Sequence, residues 1–180
     1  LAARICRESV QVLKDERKLI PLKCGEQRVG VIFPQFSWFD SKIMVEKEVL
    51  HEKEFVRNEF KKFGINPDIQ LVSIEPADEE IQKAVNLAKN SDLTILFCFD
   101  AHLYPSNKKL LDSIQDAAKE LVVDLLRDPY DADYIKEGVA CLTDFGWRAC
   151  QIKAAIEKIC SFPSTFGGES VGVKGAIYDV

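Results

Sequence analysis

Five short hydrophobic runs set the rhythm of this chain: Arg28–Phe33 (RVGVIF), Ile69–Ile74 (IQLVSI), Leu93–Phe99 (LTILFCF), Leu121–Leu126 (LVVDLL) and Val139–Thr143 (VACLT). Their length is that of strands, and they are largely continuous rather than alternating, as in strands buried on both faces. Between them the period changes. Leu1–Lys14 reads as an amphipathic helix, with Ile5, Ser9, Val12 and Leu13 on one side. Ile43–Phe63 reads as a long, charged helix, started by Asp40 or Ser41 and stopped at Gly64. Its Val45, Val49, Val56, Phe60 and Phe63 would face the sheet, leaving the charges solvated. Asp78 is placed to cap a helix over Glu79–Lys89. Asn107–Ala118 and Gly146–Cys160 complete the helical set. Loops are expected around Gly25, over Pro34–Ser41 and Asp100–Ser106, and over Pro129–Glu137, the last a loop or short helical turn closed by Gly138. Phe162–Val180 is glycine-rich and irregular, with a candidate edge strand near Ala176–Val180. Strands alternating with helices predict a three-layer α/β/α sandwich with a mostly parallel five- to six-stranded sheet. No repeat or linker divides the chain, so residues 1–180 read as a single domain.

Composition narrows the function classes. The 47% hydrophobic content suffices for a sizeable core. A net charge of −5 argues against nucleic acid and against an anionic membrane surface. No apolar run approaches the roughly 20 residues that span a bilayer. The six cysteines, at 6, 24, 98, 141, 150 and 160, form no CxxC pair. They read as small buried hydrophobes in a reducing compartment, which with the absence of a signal-peptide pattern implies a cytoplasmic location. The two histidines have no ligand spacing to a cysteine, so no metal is expected. No phosphate loop of the GxGxxG or GxxxxGK[ST] type and no GxSxG turn occurs, and no cofactor is expected.

Candidate chemistry collects at the carboxyl ends of the strands, where open α/β sheets place ligands and interfaces. Phe36 and Trp38 follow the first strand; Asp100, His102 and Tyr104 the third; Arg127, Asp128, Tyr130 and Asp131 the fourth; Asp144, Phe145 and Trp147 the fifth. Aromatics mixed with carboxylates suit a sugar cleft or a domain interface. Each residue also has a plainer role. Arg127 is expected to pair with Asp131 and brace its loop, and Trp147 to be a core residue at a helix start. His102 is expected to be a solvated loop histidine, although Asp100-Ala-His102 has the look of a small acid/base dyad. His51 is expected to be exposed.

Three segments carry a family resemblance. Glu8–Leu22 (ESVQVLKDERKLIPL), Arg28–Pro34 (RVGVIFP) and Arg127–Asp131 (RDPYD) follow one another in an order that resembles the carboxy-terminal α/β domain of family-three glycoside hydrolases. RDPYD is similar to the Arg-x-Pro-Tyr-Asp of the β-N-acetylhexosaminidase branch. Asp92–Phe97, Asn107–Leu126, Gly138–Phe145 and Trp147–Cys160 extend the likeness over nearly the whole chain. It departs at Phe33, where the family has glycine, over Pro34–Phe63, and in Ser164–Val173 (STFGGESVGV), which replaces the family's Gly-Lys-Leu-Pro-Val type closure.

The resemblance implies an excised piece of a longer enzyme, an implication that the start at Leu1, directly in a helical pattern, shares. In that family the nucleophilic aspartate, and in the hexosaminidase branch also the acid/base His/Asp pair, lie in a preceding (β/α)-barrel. Retaining hydrolysis needs two groups about 5 Å apart around the scissile bond, so no catalytic residue is assigned here. The implied role is an accessory domain packing on a catalytic barrel of the same polypeptide, lining its cleft for an amino sugar, with the isolated chain inactive. The exposed apolar side of an excised domain would also favour self-association. Two rivals are a stand-alone binding or structural module of the same fold and a flavodoxin-like enzyme or regulator.

Overall fold

The computed structural model describes residues 1–22, 27–40 and 45–161. Strands β1 (Gln11–Lys14), β2 (Val29–Pro34), β3 (Asp68–Val72), β4 (Leu93–Phe99), β5 (Leu121–Leu126) and β6 (Ala140–Thr143) form one sheet in the order β1-β6-β5-β4-β2-β3. All neighbours pair in parallel except β1, which runs antiparallel to β6. The helices are α1 (Ala2–Ser9), α2 (Glu52–Lys61), α3 (Asp78–Asn90), α4 (Pro105–Ala117) and α5 (Ala149–Cys160).

Strand alternation sends side chains to both faces, and each face has its own core. Val31, Phe33, Ile95, Phe97 and Val122 meet Phe55, Val56 and Phe60 of α2 and Ile152, Ile156 and Ile159 of α5. Ile32, Leu96, Val123 and Leu125 meet Ile81 and Ala84 of α3 and Leu110, Leu111 and Ile114 of α4. This is the expected three-layer sandwich, and the parallel central strands are buried throughout.

Three sequence expectations are corrected. Leu1–Lys14 is not one helix. It leaves the helix at Val10, whose ψ of 122° is extended, and Gln11–Lys14 becomes the sheet edge, with Gln11 opposite Thr143 and Val12 opposite Leu142. Pairing with β6 satisfies backbone groups that a frayed helix end would leave to water. Lys14 anchors this edge, its Nζ donating to the carbonyls of Ala132 (2.8 Å) and Ile135 (3.1 Å). The amino-terminal β1 thus supplies the extra edge strand, while Ala176–Val180, like Gly25 and Ser41, lies outside the described residues.

The helix expected over Ile43–Phe63 is half that length, a short 3-10 turn at Val49–His51 leading into α2. Its expected apolar residues do turn inward: Val45, Val49, Val56 and Phe60 are buried and Phe63 packs against them. Its charges are not all solvated. Glu52 is buried and accepts from the Ser37 backbone N–H at 2.7 Å, and Glu46 accepts from the Ala149 N–H at 2.6 Å, capping the start of α5. Such tertiary partners hold the segment where a continuous helix would not reach.

Nor does Asp78 cap α3. Ala77 occupies the cap position, and Glu80 reaches back to its N–H (2.9 Å) and to the Ser73 N–H and hydroxyl (2.9 Å each). The end of α3 presses on β2. A Cβ on Gly30 would lie 2.3 Å from Ser91 Oγ and 3.1 Å from Leu87 Cγ. Gly30→Ala should therefore destabilise the domain by about 1–3 kcal/mol through overpacking. Thermal unfolding checks this, and an unchanged midpoint would mean that Ser91 swings aside freely.

Candidate functional site at the carboxyl ends of the strands

Three adjacent strands, β4, β5 and β6, end in the same unusual way. Each is followed within two residues by a non-glycine residue in the left-handed region: Asp100 (φ 45°), Arg127 (φ 78°) and Phe145 (φ 58°). Left-handed backbone costs a residue with a Cβ roughly 1–2 kcal/mol. Three such turns side by side hold side chains where relaxed turns would not put them.

Asp100 is 1% exposed, and its Oδ2 accepts from Arg127 Nη1 at 2.6 Å. Burial raises the Asp100 pKa, and the Arg127 charge works against that rise. The Arg127 side chain remains 45% exposed and lies over the Phe99 ring, 5.8 Å from its centroid. The expected Arg127–Asp131 pair is thus replaced by Arg127–Asp100. The reason is that Asp131 is already committed: its buried carboxylate accepts from the backbone N–H groups of Ala101 and His102, both at 2.7 Å, and meets His102 Nδ1 at 3.0 Å.

His102 is consequently not a solvated loop residue, its side chain being only 22% exposed. Its acidic partner is Asp131 rather than Asp100, so the dyad suggested by Asp100-Ala-His102 is corrected as well. A carboxylate only accepts, so Nδ1 carries the proton in this contact. Tyr130 approaches the imidazole edge-on at 5.5 Å and is itself 71% exposed. Asp128 serves the same loop by accepting from the Tyr130 N–H at 3.2 Å. His51 is exposed, as expected.

An aromatic row backs this polar rim. Trp147 stacks on Phe36 at 4.9 Å, Phe36 meets Phe99 edge-on at 5.7 Å, and Phe99 stacks on Tyr104 at 6.3 Å. Trp147 is thus packed on the core at a helix start, as its plainer role required. Phe39 bridges Phe99 and Trp147 at 5.9 Å each and carries the exposed Trp38 at 4.9 Å. Phe39 and Phe99 were not among the expected site residues. The sequence signal was the aromatic density of Phe36-Ser37-Trp38-Phe39.

Asp144 does not join the rim. It is buried, with Oδ1 accepting from the Gly146 N–H at 3.0 Å and Oδ2 unbonded. Its neighbour is Asp124 of β5, whose sign in the sequence is the one carboxylate in the middle of LVVDLL.

The assembled rim offers a half-exposed guanidinium, an oriented imidazole and the exposed rings of Tyr130, Phe145 and Trp38. It can hold hydroxyl and carbonyl groups and stack against a sugar or another protein surface. Among the described residues, no three His, Cys, Asp or Glu side chains gather as a metal site, and no helix is long and apolar enough to cross a membrane. Phe145→Gly should relieve one left-handed residue and raise stability by about 1 kcal/mol, read as a higher unfolding midpoint. A lower midpoint would show that the half-exposed ring contributes more by packing than its backbone costs.

Neither a family model nor a curated protein matches this sequence. Solved structures do. A family-three β-N-acetylglucosaminidase from Paenibacillus sp. superposes with a TM-score of 0.71 at 16% identity, over 86% of this chain and 28% of that one. A β-glucosidase from Listeria innocua gives 0.63 at 16% identity, over 86% of this chain and 24% of that one. A family-three β-glucosidase from Bifidobacterium adolescentis gives 0.60 at 16% identity, over 88% and 26%. The chain thus spans roughly a quarter of the length of the enzymes it resembles. It has the fold of the α/β domain of family-three glycoside hydrolases, the domain to which its sequence motifs pointed.

Proposed function

We propose that this chain is the accessory α/β domain of a β-N-acetylhexosaminidase-like glycoside hydrolase. It packs on a catalytic barrel of the same polypeptide and lends its strand-end rim to the wall of the amino-sugar cleft. The observation that carries this reading is the strand-end constellation itself. The Arg-Asp-Pro-Tyr-Asp loop is tied to the loop after β4 by Asp131, and it presents Arg127 and Tyr130 outward beside Phe145. Half-exposed cationic and aromatic groups on braced loops are what a sugar wall or a domain interface uses.

No catalytic residue is assigned. Retention takes two groups about 5 Å apart, a nucleophile and an acid/base, one on either side of the bond. In the rim, Asp100 is turned to Arg127 and Asp131 to backbone amides and His102, so neither is placed as an attacking group. The hexosaminidase branch is preferred over the β-glucosidase branch because of RDPYD and because, of the three superpositions above, the β-N-acetylglucosaminidase scores highest.

The test is hydrolysis of a chromogenic N-acetyl-β-glucosaminide by the chain alone and by the longer polypeptide that carries it. Turnover by the longer protein alone is the expected result. Turnover by the isolated chain would overturn the accessory role, and silence of both would leave a binding or structural module of the same fold.

A further inference from the structure

Away from the rim, α1 and α5 bring together two cysteines that are 144 positions apart in sequence. The Sγ atoms of Cys6 and Cys150 lie 3.0 Å from each other. The two helices are locked beside this contact by Arg7 Nε donating to Glu157 Oε2 at 2.7 Å. Surroundings differ for the two sulfurs. Cys6 is buried where α1 packs on α5, and burial, with the neighbouring Cys150 sulfur, pushes its thiol up to about 11. Cys150 is only half-buried, sits in the first turn of α5, and lines an open cleft of about 800 Å³ with Arg7, Lys62, Lys153 and Glu157. By contrast Cys98 and Cys141 are enclosed within β4 and β6. Of these four thiols, then, one is reachable and has a second in contact behind it.

We propose that Cys6 and Cys150 form a reversible disulfide, made by exchange with a low-molecular-weight disulfide of the glutathione type that enters through the cleft. The Cys150 thiolate attacks one sulfur of the incoming disulfide. The S–S bond breaks, the first glutathione leaves as thiolate, and glutathione remains on Cys150. The Cys6 sulfur, after losing its proton to solvent, attacks Cys150 Sγ and expels the second glutathione. Two protein thiols are oxidised to one disulfide, and one glutathione disulfide is reduced to two thiols, which take up the two protons released. The first step suits Cys150 because exchange requires access to the attacking sulfur, and Cys150 is the half-buried member of the pair that lines the open cleft. The second suits Cys6 because its sulfur is already in contact, so closure to the roughly 2.05 Å of a covalent bond takes a shift of about 1 Å. The bond would clasp the amino-terminal helix to the last helix and close most of the domain into one loop. It also gives the cysteines a role beyond that of small apolar fillers in a reducing compartment.

The test is a non-reducing tryptic map of the whole chain after equilibration with excess oxidised glutathione. The expected result is the tripeptide Ile5–Arg7 joined to Ala149–Lys153. The linkage should be released by dithiothreitol and accompanied by a rise of about 5 °C or more in the unfolding midpoint, as expected for closing a very long loop. Cys6→Ser should trap glutathione on Cys150, whereas Cys150→Ser should leave Cys6 unmodified. The proposal is overturned if Cys6 and Cys150 both stay free thiols in the native chain, if Cys6 pairs with a different cysteine, or if glutathione accumulates on Cys150 without displacement by Cys6. The map of the unaltered chain decides the matter even if a serine variant does not fold.

Discussion

Asp124→Asn is expected to gain stability over the unaltered chain as pH rises above the ordinary carboxylate range. Asp124 stands in the middle of β5, fully buried, and neither carboxyl oxygen has a hydrogen-bond partner. Its register partner is Leu142, so Asp144, two residues further along, projects from the same face. Burial raises the Asp124 pKa well above the usual carboxylate range, and the neighbouring Asp144 charge raises it further. Asp144 is pushed up to about 7, again by burial, although its bond from the Gly146 N–H works the other way. With one donor to steady its charge, Asp144 ionises before Asp124, which has none.

In the unfolded chain both groups lose their protons near pH 4. Above that, the native state holds more protons than the unfolded state, so stability falls as pH rises. For Asp144 the fall runs up to about pH 7 and then levels, and the raised Asp124 adds a fall of the same sign above the ordinary carboxylate range. Asparagine carries no such penalty. The gap between variant and unaltered chain should widen by about 1.4 kcal/mol for each pH unit over which Asp124 stays protonated in the native state. Urea unfolding at a series of pH values measures it. Asp144→Asn should show a gap that stops widening near pH 7. Parallel stability curves for Asp124→Asn and the unaltered chain would mean that Asp124 has an ionised state the fold tolerates.

What was legible in the sequence depended on how local the cause was. β4 and β5 begin and end where their apolar runs do, because a strand buried on both faces admits almost nothing polar. Helices α3 and α4 differ from their expected limits by at most two residues, since Asn90-Ser91 and Pro105 punctuate them locally. β1 was hidden. Val12 and Leu13, at 39% and 36% exposure on a sheet edge, fit a helical stripe with Ile5 as well as they fit a strand. Only pairing with β6, more than 120 residues away, decides between the two. The candidate site was legible as a list of residues, because strand ends are predictable. Its pairings were not, because Arg127 with Asp100 and His102 with Asp131 join separate loops through left-handed turns. Asp124 shows the complementary case: a carboxylate inside an apolar run was visible, yet its consequence depends on Asp144 arriving on the same face.

Asp131→Ala should cost about 3–5 kcal/mol, because the aspartate is a structural brace before it is anything else. Its two oxygens take three donors: the N–H of Ala101, the N–H of His102 and His102 Nδ1. Hydrogen bonds to a charged acceptor are worth about 1.5–3 kcal/mol net, and alanine would leave a buried N–H with no partner. Asp131→Asn keeps one acceptor oxygen and should lose roughly half as much. His102→Ala removes only the Nδ1 bond and should cost about 1 kcal/mol. Urea unfolding ranks the three variants, and hydrogen exchange at the Ala101 and His102 amides should accelerate in the first. The ranking matters for function. If it holds, the loops after β4 and β5 are one braced unit whose purpose is to hold Arg127 and Tyr130 in position, and His102→Ala should weaken that surface little. If Asp131→Ala unfolds no more easily than His102→Ala, the brace is not what fixes the rim, and the Asp131–His102 pair would have to be read for chemistry of its own.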